Sequence, residues 1–445
     1  MSRVQRLLAV MLLLLLAGCR AAPDGVSAPR SEATLTRQAV AVTVSAEATA
    51  TPPPPIATAS STPRTEASVT ASPTSAATST PEPTATTTLA LKPDQVDYTV
   101  EVVATGLAVP WALAFDEDGA LYLTERPGRL RVIRDGVLDP DPVAELPVAA
   151  TGEGGLLGLA LDPAFSRNAY IYLMYTLSDG GGLWNRIARY TLTDNGLVDE
   201  VVLVDRIPGA RNHDGGRLAF GPDGMLYATT GDAGRPALAQ DLTLLAGKIL
   251  RMNPDGSVPG DNPYPESLVY SYGHRNPQGL AWHPDTGVLY SVEHGPSGEF
   301  GSCCRDELNR IVPGGNYGWP WVAGNDVLDG AAAATAELIP PVASSGTDTW
   351  APASLAFYRG VPFAPWEGLA FLGMLRGSDV QRMELGGPLL DQVLASALLF
   401  DGTYGRVRDV VLGPDGYLYF STSNQDGRGW PATDDDRILR IVPAQ

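Results

Sequence analysis

The sequence predicts an all-β fold, a six-bladed β-propeller, preceded by a disordered linker rich in Ala, Ser, Thr and Pro. Three observations carry this expectation. One phrase recurs six times: a small or apolar pair, a turn of the Pro-Asp-Gly kind, then an apolar-Tyr strand. Its apolar markers stand at residues 115, 161, 220, 282, 357 and 412, separated by 46, 59, 62, 75 and 55 residues, each enough for three or four short strands. No long amphipathic helix is evident between them. Two stacked β-sandwiches would leave the repetition unexplained.

Taken in order, residues 1–18 read as a secretory signal. Arg3 and Arg6 precede an apolar run from Leu7 to Ala17 that is too short to span a bilayer. The run ends in Leu16-Ala17-Gly18-Cys19, which resembles the lipobox of bacterial lipoproteins. That resemblance implies a lipidated Cys19, an extracytoplasmic location and a membrane partner reached through two acyl chains. Residues 19–96 form the linker. From Ala21 to Ala90, 52 of 70 residues are Ala, Ser, Thr or Pro, too little apolar area to offset the entropy of ordering. Residues 97–445 are the propeller, and they hold the charge: 24 basic against 44 acidic side chains, or −20. Such a balance, with Lys92 and Lys248 the only lysines, excludes a nucleic-acid partner.

The copies run from Leu113-Ala114-Phe115, with Leu121-Tyr122, to Val411-Leu412 followed by Pro414-Asp415-Gly416 and Leu418-Tyr419. In propellers, residues just past the inner strands face one mouth of the central channel, so chemistry is sought after the Leu-Tyr strands. There are four His. His213 lies in Asn212-His213-Asp214-Gly215-Gly216-Arg217, and Asp232 follows 19 residues later, past a strand that turns back. A carboxylate holding one imidazole nitrogen leaves the other free as a general base. The next blade opens with Gly273-His274-Arg275-Asn276-Pro277-Gln278-Gly279 and leaves through Glu293-His294-Gly295-Pro296, a polar set suited to a polyanion with a hard cation. His283, on a repeat turn beside Trp282, reads as structural.

On these stretches, together with Gly154-Gly155-Leu156-Leu157-Gly158, Asp306-Glu307-Leu308-Asn309, Gly314-Gly315-Asn316-Tyr317-Gly318-Trp319-Pro320 and Arg406-Val407-Arg408-Asp409-Val410, residues 97 to 443 resemble the glucose/sorbosone dehydrogenase family. The resemblance implies a six-bladed propeller that oxidises an aldose sugar at C1 with pyrroloquinoline quinone (PQQ) and Ca²⁺, reoxidised by an external electron acceptor. It places the general base on His213 and its orienting carboxylate on Asp232. Quinone contacts fall on Arg275 and Asn276. The cofactor's carboxylates fall to Arg376, where relatives often have Lys, and to Arg406 and Arg408. Carbonyls of Gly295 and Pro296 would hold the catalytic Ca²⁺, and Glu307 and Tyr317 a second ion. Two features depart from the family pattern. The family's quinone-contacting Gln is Glu153 here, an extra carboxylate that needs a proton or an Arg partner beside an anionic cofactor. The longer segment from Pro296 to Asp306 carries Cys303-Cys304, which in an oxidising compartment could form a vicinal disulfide or stay as two free thiols. Glu153 is also what favours the alternative, a non-catalytic extracellular propeller binding carbohydrate or protein. A Ca²⁺-dependent lactonase fits less well, because three Arg at one mouth suit a polyanion better than a neutral lactone.

Overall fold

The computed structural model describes residues 93–333, 336–400 and 402–444. The signal, the Cys19 anchor and all but the end of the linker lie outside them. Among the described residues, six antiparallel sheets, each with four strands on its main path, follow one another along the chain. Each recurring marker is the last residue of a blade's innermost strand: Pro110–Phe115, Leu156–Leu161, Leu218–Phe220, Pro277–Trp282, Pro352–Phe357 and Val407–Leu412. These six strands touch in succession and close into a ring around the axis. We number the blades one to six in that order.

The packing explains why the phrase recurs. The marker aromatic of one blade meets the strand tyrosine of the blade before it: Phe220 with Tyr172 at 5.1 Å, Trp282 with Tyr227 at 5.1 Å and Phe115 with Tyr419 at 4.9 Å, all edge to face, and Phe357 with Tyr290 at 5.5 Å, tilted. The turn Asp anchors the same tyrosine, since the hydroxyls of Tyr227 and Tyr419 donate to Asp223 and Asp415 at 2.9 and 2.8 Å. Marker, turn and tyrosine are thus one seam device. Each of the six seams holds its own apolar cluster, such as Trp111, Tyr122, Leu156 and Ile171 between blades one and two. Burying a side chain of this size contributes about 1.5–3 kcal/mol.

Ring closure was not legible in the repeat. Strand Tyr98–Ala104 pairs antiparallel with Ile438–Pro443 and becomes the outer strand of blade six. The first and last strands thereby satisfy each other's backbone groups. At the axis, Arg217 binds across blades: Nε donates to the Gln278 carbonyl, Nη2 to the Ala353 carbonyl and Nη1 to Asp409, each at 3.0 Å. Asp409 also accepts the Leu113 N–H at 2.8 Å, bringing in blade one. Among the described residues the only α-helices are Phe165–Asn168 and Gly330–Ala333. None is long and apolar enough to cross a membrane.

Candidate active site

Innermost strands begin, and second strands end, at the same mouth of the channel, as the pairings Pro110↔Glu125, Pro277↔Glu293, Pro352↔Met374 and Val407↔Thr422 require. A cavity of about 730 Å³ opens there, with Glu153, His213, Arg275, His294, Arg376 and Arg406 in its wall. Five blades contribute, so residues as far apart as Glu153 and Arg428, 275 positions, share one chamber.

His213 precedes the inner strand of blade three and Asp232 follows the second strand, which places the two side by side. His213 Nδ1 lies 2.7 Å from Asp232 Oδ1. Asp232 is fully buried, and its other oxygen accepts the Trp319 indole N–H at 2.8 Å. This fixes the carboxylate and directs Nε2 of the imidazole toward the cavity. The close approach demands glycine: a Cβ on Gly231 would stand 2.0 Å from the His213 carbonyl oxygen. His213 itself takes a left-handed backbone, φ 63°.

Arg275 is buried, donates to the His294 carbonyl at 3.3 Å and rests over the Trp319 ring at 5.6 Å. Asn276 Oδ1 accepts the Gly215 N–H at 3.0 Å. Arg406 is engaged by Asp426 through Nε at 2.9 Å and Nη2 at 2.7 Å. Arg376 is exposed at the cavity wall and makes no side-chain hydrogen bond or ion pair among the described residues. Arg408 sits deeper than the wall, donating to Gln278 Oε1 at 2.6 Å with its guanidinium 5.5 Å from the Trp111 ring centre. Burial, with the charges of Arg406 and Arg126, pulls its pKa down to about 9. Among the buried side-chain atoms without a partner are Arg275 Nε, Asn276 Nδ2, His294 Nε2 and Arg408 Nε. Unmet polar atoms of this kind cost about 1–3 kcal/mol each, and Arg275 and His294 carry theirs in the chamber wall.

Sequence reasoning left Glu153 without a partner, and the structure supplies one. Its Oε1 lies 2.7 Å from Arg428 Nη1 and its Oε2 accepts the His213 N–H at 3.1 Å. Burial alone would raise this carboxyl, but His294, Arg428 and the His213 N–H hold it down, at about 2. Sequence reasoning also missed Glu299, whose Oε1 accepts from Arg275 Nη2 at 2.6 Å and lies 3.9 Å from His213 Nε2. A positional signal existed for Arg428: it follows the second strand of blade six, the kind of segment that forms this mouth.

Gly295 and Pro296 lie in the cavity wall. The Pro296 carbonyl accepts the Cys304 N–H at 2.8 Å. Glu307 and Tyr317 border a small enclosed space of about 10 Å³ that Gly295 and Pro296 also line. Glu307 faces Glu293 across the strand pair, and burial with that neighbour raises its pKa to about 8. The Tyr317 hydroxyl donates to the Arg310 carbonyl at 2.6 Å. Among the described residues no three His, Cys, Asp or Glu side chains are grouped to hold a metal ion. Cys303 and Cys304 form a disulfide in the cavity wall. A Cβ on Gly295 would stand 1.8 Å from the Cys304 carbonyl oxygen, so the disulfide turn packs directly on Gly295. His274 is bound on both nitrogens, by Glu293 and Ser271 at 2.8 Å each, and His283 packs on Phe357; neither lines the chamber.

Fold and site together define a class: a six-bladed propeller whose channel mouth sets a carboxylate-held imidazole against a ring of guanidiniums. Within it, the chain belongs to the glucose/sorbosone dehydrogenase family, whose model matches residues 107–439. It is 35% identical over 346 residues to the aldose sugar dehydrogenase YliI of Escherichia coli, covering 74% of this chain and 91% of that one. The PQQ-bound aldose sugar dehydrogenase of Streptomyces coelicolor superposes with a TM-score of 0.68 at 38% identity, over 78% of this chain and 98% of that chain. A Thermus thermophilus protein described as a putative glucose dehydrogenase gives 0.70 at 46% identity, over 78% and 100%.

Proposed function

We propose that this protein is an aldose dehydrogenase that uses PQQ and Ca²⁺ to oxidise a sugar at C1 to its aldonolactone. The observation that carries the reading is the buried His213–Asp232 pair opening onto the chamber that Arg275, Arg376 and Arg406 enclose. The donor set fits a planar tricarboxylate. Guanidiniums present planar forks to carboxylates, and the unmet donors of Arg275, Asn276 and Arg408 need acceptors. Gly295 and Pro296 would offer carbonyl oxygens to the cation, and Glu307 and Tyr317 would serve a second ion that relieves the facing carboxylates. When bound, the cofactor supplies the two-electron oxidant that accepts the C1–H electron pair, with Ca²⁺ as its Lewis acid.

The chain's own residues do the rest. Asp232 holds Nδ1–H of His213, so Nε2 carries a lone pair and takes the proton of the anomeric hydroxyl. The charge that the imidazole gains is balanced by the buried carboxylate 2.7 Å away. Arg275 Nη2 donates to Glu299, so Glu299 competes with a ligand oxygen for that nitrogen. The Glu153 carboxylate, which would favour a non-catalytic binding propeller, is spent on Arg428 and the His213 N–H. We place the protein outside the cytoplasm, tethered at Cys19 by residues 19–96 with the propeller in 97–445. The lipobox-like tetrapeptide and linker composition support this placement.

The test is reconstitution of the purified protein with PQQ and Ca²⁺, following dye reduction with a panel of aldoses. Turnover that needs PQQ is expected, and His213→Ala should lower kcat by about 10²–10⁴-fold while PQQ affinity holds. A folded protein without PQQ-dependent turnover would return the reading to a binding propeller.

A further inference from the structure

Glu153 and Arg428 lie 275 positions apart in sequence and meet over the mouth. Glu153 belongs to the loop entering blade two, and its own N–H donates to the Arg211 carbonyl at 2.8 Å, so its backbone is fixed. Arg428 belongs to the loop leaving the second strand of blade six; its N–H donates to Asp426 Oδ1 at 2.9 Å. Asp426 holds Arg406 with its other oxygen, Oδ2. A continuous chain of charge-assisted contacts therefore runs from Arg406 through Asp426, Arg428 and Glu153 to the backbone N–H of His213. It joins the Arg406 side of the chamber to the backbone of the residue that carries the imidazole. The Glu153 side chain is 15% exposed and that of Arg428 58% exposed, so the carboxylate is the anchored member and the guanidinium the presented one. Only Nη1 of Arg428 is taken; Nε and Nη2 make no hydrogen bond among the described residues. Arg428 lines the chamber.

We propose that Arg428 is a further anion-binding residue of this cavity, and that Glu153 is the positioning residue that holds it there. The inference rests on the cofactor reading above. Free in solution, an Arg at a loop tip samples many rotamers and binds an anion weakly. Clamped by a carboxylate whose backbone is fixed, it is already ordered. The same clamp cancels the negative charge that Glu153 would otherwise turn toward a trianion. The pair delivers one oriented N–H fork with no net charge of its own.

The test is titration of the intact apo protein with PQQ in excess Ca²⁺, read by quenching of intrinsic fluorescence rather than by turnover. Arg428→Ala should raise Kd by about 10–100-fold, because a charge-assisted contact is lost and Glu153 is left bare. The salt dependence of Kd should shrink with it, as a purely structural latch would not require. Arg428→Lys, which keeps the charge but not the fork, should fall between. Glu153→Gln in the Arg428→Ala background should tighten binding by about three- to tenfold relative to Arg428→Ala, since the bare carboxylate is gone. An unchanged Kd in a folded Arg428→Ala protein overturns the proposal. A double variant no tighter than Arg428→Ala shows that the bare carboxylate does not repel the ligand, and an unchanged Kd in Glu153→Gln alone removes Glu153 from the positioning role. A wild-type protein that fails to bind PQQ at all removes the cofactor reading itself, and this inference with it.

Discussion

Arg217 is the side chain whose loss the fold should feel most. Substitution by Met keeps the stem against Trp111 but deletes three donors. It leaves two buried carbonyls, of Gln278 and Ala353, without a donor and the Asp409 carboxylate without its cation. Breaking one member of a buried ion pair costs about 3–5 kcal/mol, against a typical total stability of about 5–15 kcal/mol. Burial already raises the Asp409 pKa with Arg217 present to oppose it, so removing Arg217 drives that carboxyl toward its neutral form. Urea unfolding of the intact chain, followed by tryptophan fluorescence, should show a loss of about 3–5 kcal/mol for Arg217→Met at pH 7. Asp409→Asn in the same background should then cost little more, giving a coupling energy of at least about 2 kcal/mol in the double-mutant cycle. A loss under about 1 kcal/mol, or a cycle additive within about 0.5 kcal/mol, would mean that the axis is held by the inner strands alone.

Asp214 is buried, and burial raises its pKa to about 6 against contacts from Asn185 and Ala210. The folded state therefore keeps a proton that the unfolded chain loses near pH 4; the resulting stabilisation is full below that pH and fades as pH rises through 6. The stability of wild type relative to Asp214→Asn should fall by up to about 3 kcal/mol from pH 4 to 7, and a flat difference refutes the assignment. Lys248 is fully buried with Nζ donating to the carbonyls of Leu238, Ala239 and Ala246 at 2.9, 3.0 and 2.6 Å. Lys248→Met should cost about 3 kcal/mol or more in urea unfolding, and under about 1 kcal/mol would show that water takes over those carbonyls. Glu299→Gln should tighten PQQ binding about three- to tenfold by releasing Arg275, and weaker binding would mean that Glu299 serves the ligand instead of competing with it.

The blade count was legible because seam packing imposes the same demand six times. Every seam needs an apolar marker and a strand residue to meet it, and Pro-Asp-Gly turns set their spacing. Closure was not legible, because Thr99-Val100-Glu101-Val102-Val103 alternates like any strand and its partner is decided 340 residues later. At the site, the His213–Asp232 contact follows from a strand pair that turns back on itself, so sequence distance predicts spatial nearness. The Glu153–Arg428 contact joins blades two and six, and no local rule relates positions 153 and 428. The depth of Arg408 below the cavity wall has the same origin: alternation along Val407–Leu412 says which residues face the axis, but not which layer of the channel each occupies.

The distribution of charge separates how an anion arrives from how it stays. Residues 97–445 carry −20, so a trianion approaching from bulk meets repulsion. At the mouth the sign reverses. Arg275, Arg376, Arg406, Arg408 and Arg428 stand against Glu153, Glu299, Asp306 and Asp426. Screening acts on the two regions differently, because the Debye length of about 8–10 Å near 0.1 M salt is short compared with the protein but long compared with these contacts. Raising salt from 20 to 200 mM, roughly a threefold change in that length, should therefore speed PQQ association and weaken equilibrium affinity together. Stopped-flow fluorescence measures both. Association slowed by salt would mean that the local guanidinium field, not the acidic surface, governs approach, and that the mouth projects its charge well beyond its rim.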